Sequence, residues 1–245
     1  MNVLLDSDYY PNQPQALLGE PALRKTAEWL DDLNHHPLIV RALSEIEESS
    51  TQHKYYHNLQ HTLEVMADAI HFAVLEQCYD SEIELLALAA AFHDIGHSQD
   101  PAIHEEISAE YAQIRMRKFG YSATEMATVE NLILDTKLYR SDDNRTVEQI
   151  ATLPLSRYLL DADLANFGRE HFMQKLGLVL AEYAKQPLVT LSMKQVHDFQ
   201  QCTFRMLCTH KWQTDVGRSL LQRQKRFNMR KLELSISALG AMLQQ

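Results

Sequence analysis

The sequence predicts an all-α protein folded as a single domain, and three observations carry that expectation. Only 7 Gly and 7 Pro occur in 245 residues, too few for a protein built from many short strands and tight turns. Apolar residues recur at helical spacing in segment after segment. No internal repeat, low-complexity tract or linker interrupts that periodicity, which resumes on both sides of every break.

Taken in order, a first helix opens near Pro21 and carries Leu23, Ala27, Leu30 and Leu33 at helical spacing. A second covers 37–48, with Ile39, Leu43 and Ile46 on one face. After the polar break SSTQHK, Asn58 is the N-cap of a long helix reaching about Cys78. The segment Glu82 to Phe92 (EIELLALAAAF) is apolar almost all round, which marks a central, buried helix. It runs into HDIGH, where Gly96 is the expected terminator. Further helices follow at 103–118, 122–134, 155–167, 170–185, 194–210 and 216–242, and the polar stretch 135–145 (DTKLYRSDDNR) is the expected exposed loop. The apolar residues of the last helix, Leu232, Leu234, Ile236, Leu239 and Met242, suit either the core or a homodimer interface.

Composition narrows the function classes. No apolar run approaches the roughly 20 residues needed to span a bilayer, and the N-terminus has no basic region of the signal-peptide kind. The cysteines Cys78, Cys202 and Cys208 form no CxxC pair and no disulfide framework. The expectation is a cytoplasmic protein with no membrane partner. The net charge of −10 argues against a general nucleic-acid coat. Between 205 and 231, however, Arg205, Lys211, Arg218, Arg223, Lys225, Arg226, Arg230 and Lys231 face the single acid Asp215. This basic segment reads as a solvated face, with docking of a phosphate-bearing ligand, nucleic acid or another acidic partner as the sharper alternative.

The chemistry-bearing residues cluster. His57 and His61 lie four apart near a helix start, so both project from one face. His93 and His97 repeat that spacing at the end of the apolar helix, with Asp94 beside the first. Downstream, LLDADLANFG sets Asp161 and Asp163 at the end of another apolar run. Buried imidazoles and carboxylates need a ligand or a network. Two of each suit a divalent cation such as Mn²⁺, Fe²⁺, Co²⁺, Ni²⁺, Zn²⁺ or Mg²⁺, and the lack of a nearby cysteine argues against structural zinc. Each piece alone is weak; in this order and combination they are specific.

That combination resembles the HD superfamily: a His on one helix, an adjacent His–Asp on a second and an Asp on a third. YHNLQH, FHDIGH and ADLAN are similar to the YHNxxH, HDxxH and ADLSN elements of class I cyclic-nucleotide phosphodiesterases. The match is closer to a compact bacterial group of metal-dependent HD phosphohydrolases, whose third and fourth elements correspond to HEEISAEYA and DADLANFG and whose closing helix is similar to RFNMRKLEL.

The resemblance implies a helical bundle of the HD/phosphodiesterase type spanning 1–245, its HD core at about 55–170 with flanking N- and C-terminal helices. It also implies a metal held by His61, His93, Asp94 and Asp163, with His57 as proton donor. His97 would lie near the bridging water and phosphate. Glu105 or Glu106 would orient water or pair with His97, one of the two serving only the helix N-terminus. Asp161 would support the site without ligating, and Lys137, Arg140 and Arg145 have no assigned role. Two departures, His104 in place of Asn and Leu138–Tyr139 where the pattern has a histidine, imply one tightly held metal and a weaker second ion held by water and phosphate.

The expected reaction is metal-activated hydrolysis of a phosphoester, a cyclic or linear diester or a monoester, in a nucleotide-like small molecule. The alternatives are a mixed-valent di-iron oxygenase and a non-catalytic ligand-sensing or partner-binding HD module. His35, His36, His53, His71, His171, His197 and His210 have no constellation around them and read as surface or core histidines.

Overall fold

A computed structural model describes residues 20–48, 54–140 and 147–244. Helix α1 (Glu20–Leu33) and α2 (Pro37–Glu48) lead into α3 (Leu59–Leu75) and α4 (Asp80–Phe92). Helices α5 (His104–Lys118) and α6 (Ala123–Leu134) follow. A two-residue antiparallel ladder pairs β1 (Tyr139–Arg140) with β2 (Val147–Glu148), Tyr139 opposite Glu148 and Arg140 opposite Val147. Then come α7 (Ser156–Asp163), α8 (Phe172–Tyr183), α9 (Met193–Thr209) and α10 (Asp215–Leu243). Short 3₁₀ turns fill Ile95–Ser98, Ala165–Gly168 and Leu188–Thr190.

The core forms where apolarity is most continuous. In α4, Ile83, Leu86 and every residue from Ala87 to Phe92 are buried, and α3 buries Thr62, Leu63 and the run from Val65 to Val74 against it. Full burial of a Leu, Ile or Phe side chain contributes roughly 1.5–3 kcal/mol, so these two helices anchor the fold. As expected, Asn58 caps α3, its Oδ1 accepting from Gln60 N at 3.0 Å and His61 N at 3.3 Å. That cap fixes the first turn of the helix, which carries His61.

Four expectations need correction. Gly96 does not end α4 in a left-handed conformation; it lies inside the 3₁₀ turn, and α4 stops at His93. The glycine is needed for close approach, because a Cβ at 96 would lie 2.5 Å from the His104 carbonyl oxygen. The expected helix 155–167 breaks at Leu164 into α7 and a 3₁₀ turn. The polar loop is not exposed throughout. Asp135 and Thr136 are buried, and Asp135 Oδ2 accepts from Thr152 N at 2.7 Å and Thr152 Oγ1 at 2.9 Å. Finally, the basic segment is not one solvated face. Lys225 is buried, its Nζ donating to the His210 carbonyl at 2.6 Å and contacting His210 Nδ1 at 2.9 Å.

The sequence features at 1–19, the break after Glu48, His53 and Arg145 lie outside the described residues. In the last helix Leu232 is buried while Leu234 and Met242 are exposed. No described helix is long and apolar enough to cross a membrane.

The C-terminal helix secures the turn that follows α7. Asn228 Nδ2 donates to the carbonyls of Phe167 at 2.9 Å and Arg169 at 2.7 Å, and Arg169 forms an ion pair with buried Asp68 of α3. Gly96→Ala should lower unfolding free energy by about 1–3 kcal/mol, the usual cost of overpacking. Chemical denaturation checks this, and an unchanged midpoint would show that the turn has room for a methyl group.

Candidate metal centre

Three helices bring the four expected ligands together: the start of α3 supplies His61, the end of α4 supplies His93 with Asp94 directly after it, and the last residue of α7 is Asp163. His61 Nε2 lies 3.5 Å from Asp94 Oδ2 and 3.3 Å from Asp163 Oδ1. His93 Nε2 lies 3.2 Å from Asp94 Oδ2 and 3.7 Å from Asp163 Oδ1. The ligand atoms of His61, His93 and Asp94 all fall within 4.8 Å of one another.

The orientation of these groups is as informative as their proximity. His93 Nδ1 contacts the Ala90 carbonyl at 2.8 Å. Only an N–H can satisfy a carbonyl, so that tautomer leaves Nε2 as a lone-pair donor. His61 Nε2, His93 Nε2 and Asp94 Oδ2 are buried and have no hydrogen-bond partner among the described residues. Buried polar atoms without partners are costly, and three of them converging on one point form a cradle for a cation. Asp163 is held from the other side by Gln149 Nε2 at 2.6 Å. The donor set, two imidazoles and two carboxylates, fits a divalent metal of borderline or hard character.

Electrostatics agree. Burial works against protonating His93, but Asp94 and Asp163 outweigh it and push His93 well above the ordinary imidazole value. Burial would raise Asp94, yet His93 and His57 hold it well below the usual carboxylate range. Asp163 is likewise held low, the His61 and His93 imidazoles outweighing its burial. A bound cation would replace the imidazolium proton, so metal uptake releases acid.

Beside this group lies a second one. His57 Nδ1 bonds Glu182 Oε1, whose other oxygen accepts from Tyr56 N at 2.8 Å and His57 N at 3.1 Å. The His57 and His97 rings stack at 4.2 Å, and His97 Nε2 is 3.6 Å from Glu182 Oε1. The two histidines diverge in charge. For His57, burial is outweighed by Asp94 and Glu182 and the pKa rises; for His97, burial and the neighbouring His57 depress it to about 4.

Glu182 was missed by the sequence reading. It lies in α8, outside the motif-bearing stretch, and the apolar stripe Phe172, Leu176, Leu180 continues at helical spacing to Tyr183 or Ala184, not to Glu182.

The remaining candidates sort by geometry. His104, the departure from the motif, belongs to the cluster: its Nε2 lies 3.4 Å from Asp94 Oδ1. Glu105 is buried and pairs with His104 Nδ1 at 3.3 Å rather than with His97. Glu106 turns away to an ion pair with Lys137, so it does not join the cluster. Asp161 does not support the metal ligands. Its carboxylate accepts from Gln213 N at 2.7 Å, Thr214 N at 2.9 Å and Thr214 Oγ1 at 2.7 Å, fixing the start of α10. Of the unassigned histidines, His71 lies buried with Nδ1 3.0 Å from Thr26 Oγ1, a core histidine as expected.

A chamber of about 380 Å³ opens beside the cluster, with His57, Asp163, Arg140 and Arg205 among its lining and Phe167, Phe172, Leu176 and Phe199 supplying apolar walls.

Asp94→Ala and His61→Ala should each reduce bound metal from about one ion per chain to near zero by elemental analysis, and chelation should lower the wild-type melting temperature. Equal metal content in wild type and Asp94→Ala would remove Asp94 from the ligand set.

Residues 58–165 match the family model of the HD domain. Among curated proteins, none matches the chain. A solved structure described as a predicted HD superfamily hydrolase from an uncultured Thermotogales bacterium is similar in fold, with a TM-score of 0.50 and 17% identity over 84% of this chain and 92% of that one. The helical cradle of His61, His93, Asp94 and Asp163 falls within residues 58–165, the part of the chain that matches the HD domain.

Proposed function

We propose that the protein hydrolyses a phosphoester of a nucleotide-like small molecule, with a divalent metal held by His61, His93, Asp94 and Asp163. The observation that carries this reading is the His57–Glu182 pair, a proton donor built beside the metal cradle and lining the same chamber as Asp163.

When bound, the metal supplies Lewis acidity, lowering the pKa of water to roughly 7 and neutralising phosphoryl charge. The chain's own groups do the rest. Asp94, central to the cradle, orients the water whose oxygen forms the new bond to phosphorus. Glu182 holds His57 by Nδ1 and keeps it protonated, leaving Nε2 to deliver its proton to the ester oxygen as the phosphorus–oxygen bond breaks. His97 stays neutral and, stacked on His57, fixes the ring plane. Such divergence of two neighbouring groups is how one site holds an acid and a neutral partner at the same pH. Arg140 and Arg205, at the chamber lining, attract the anionic ester, and the apolar walls suit its organic moiety. Lys54 adds a cation within electrostatic reach of Asp94 and Glu182.

A second reading draws on His104. Asp94 meets the His61–His93 group through Oδ2 and His104 through Oδ1, so His104 would be available to help hold a second ion, as the di-iron oxygenase alternative requires. Two irons per chain with oxygen-dependent turnover, and no phosphate release, would favour it.

A nucleotide and phosphodiester panel with added Mn²⁺, Mg²⁺, Ni²⁺ or Fe²⁺ tests the reading. His57→Ala should lose about 10²- to 10⁴-fold in kcat while retaining metal; loss of metal instead would make His57 a ligand. Because the folded pKa of His57 is raised, the donor keeps its proton to higher pH than an ordinary imidazole, and activity should fall as pH rises through that pKa. Glu182→Gln removes a carboxylate that raises it, so the alkaline limb should move to lower pH. An unmoved limb would contradict the pairing.

A further inference from the structure

Beside the cradle, a second set of side chains among the described residues brings potential metal-ligand atoms within 4.8 Å of one another: His57, His97 and Glu182. Three segments build it. His57 stands one residue before the Asn58 cap of α3, His97 lies in the 3₁₀ turn after α4, and Glu182 lies in the last turn of α8. Glu182 Oε1 is shared by the two imidazoles: it bonds His57 Nδ1 and lies 3.6 Å from His97 Nε2. The other carboxylate oxygen is tied to the backbone N–H groups of Tyr56 and His57, which fixes Oε1 in place.

Two imidazoles and one carboxylate form a ligand set that zinc accepts, with water in the fourth position. Ligand atoms about 2.0–2.2 Å from a tetrahedral ion stand roughly 3.4 Å apart, close to the spacing of His97 Nε2 from Oε1. The stacked rings, 4.2 Å apart, need only swing toward Glu182 to close on an ion. His97 is neutral, so one of its ring nitrogens already offers a lone pair. The proton that an ion must displace is the one between His57 and Glu182. An approach exists: the His57 side chain is 26% exposed and lines the chamber, against 13% for His97 and 9% for Glu182. Affinity should be lower than in the cradle, because one carboxylate stands in place of two and Lys54 lies within electrostatic reach of Glu182. Proximity to the cradle is no bar, since paired ions about 3.5–4 Å apart are common in hydrolytic sites.

We propose that His57, His97 and Glu182 form a second, weaker metal site for zinc-like ions, and that an ion held there inhibits the enzyme by dismantling the His57–Glu182 pair. Uptake exchanges one divalent ion for the shared proton, which leaves to solvent. His57 then binds metal as a neutral imidazole, a weaker acid than imidazolium, and no longer delivers a proton to the ester oxygen. The site is distinct from any second ion between Asp94 and His104. Its inhibitory consequence rests on the reading of His57 as proton donor, whereas ion binding does not.

Equilibrium dialysis of the full chain against rising Zn²⁺, with bound ions counted by elemental analysis, tests the site. Wild type should rise from about one to about two ions per chain. His97→Ala keeps the whole cradle and the His57–Glu182 pair, and should stop at about one. Turnover of an ester from the panel should fall about 10²- to 10⁴-fold as the second ion fills, the loss expected when a proton donor is removed. His97→Ala should escape that fall. A wild-type chain that stops at one ion would overturn the proposal. So would a second ion that persists in His97→Ala, or wild-type turnover unchanged by the second ion. Should His97→Ala fail to fold, zinc anomalous data from wild-type crystals decide: a peak about 2.0–2.2 Å from both imidazoles and the Glu182 carboxylate is expected, and its absence overturns the site. Failure to hydrolyse any ester with one ion bound would contradict the proposed function instead, and the ion count would still decide the site.

Discussion

The fold is organised around a point where buried nitrogen and oxygen atoms meet without hydrogen-bond partners. His61 Nε2, His93 Nε2 and Asp94 Oδ2 all lie in the interior and face one another. Lone pairs converging in a low-dielectric interior repel, and removing them from water is costly. A divalent cation resolves both problems, because each atom gains a strong partner. Much of the surrounding structure serves that point. The Asn58 cap starts α3 at a fixed place, and the Ala90 carbonyl fixes the His93 tautomer. Gln149 holds Asp163, and Asn228 ties down the turn that follows it.

The His57–Glu182 side of the site is built differently. His57 and Glu182 come from segments 125 residues apart and meet through a side-chain bond reinforced by two backbone N–H groups on the same carboxylate. Burial and charge then separate His57 from its stacked neighbour His97, one raised and one lowered. The metal cradle and the His57–Glu182 pair rest on separate hydrogen bonds and are coupled only through charge, chiefly between Asp94 and His57. Loss of one need not abolish the other, and so their roles can be separated by mutation.

Much of this was legible in the sequence, for reasons that are local. The buried helix is apolar all round, the Asn58 cap precedes its helix, and the His93–Asp94 pair stands at the end of that apolar run. The choice of Asp163 over Asp161 came from the motif, and helix geometry accounts for it. Residues two apart on a helix project about 200° apart, so one faces the cradle while the other faces α10. What remained hidden depends on tertiary contacts. Gly96 looked like a helix terminator, but the constraint on it is the neighbouring His104 carbonyl. Glu182 and Gln149 carry no local pattern, since each matters only for what a distant segment places beside it. His104 looked like a loss from the motif, and folding brings it to Asp94.

The central claim is that His61, His93, Asp94 and Asp163 bind one cation together. A crystal structure of the protein soaked in Mn²⁺, with anomalous data collected for manganese, tests it most directly. The account predicts a strong anomalous peak within bonding distance, about 2.0–2.3 Å, of both Nε2 atoms and of an oxygen from each carboxylate. A map with no peak there, or with all four side chains hydrogen-bonded to one another around no ion, would contradict it.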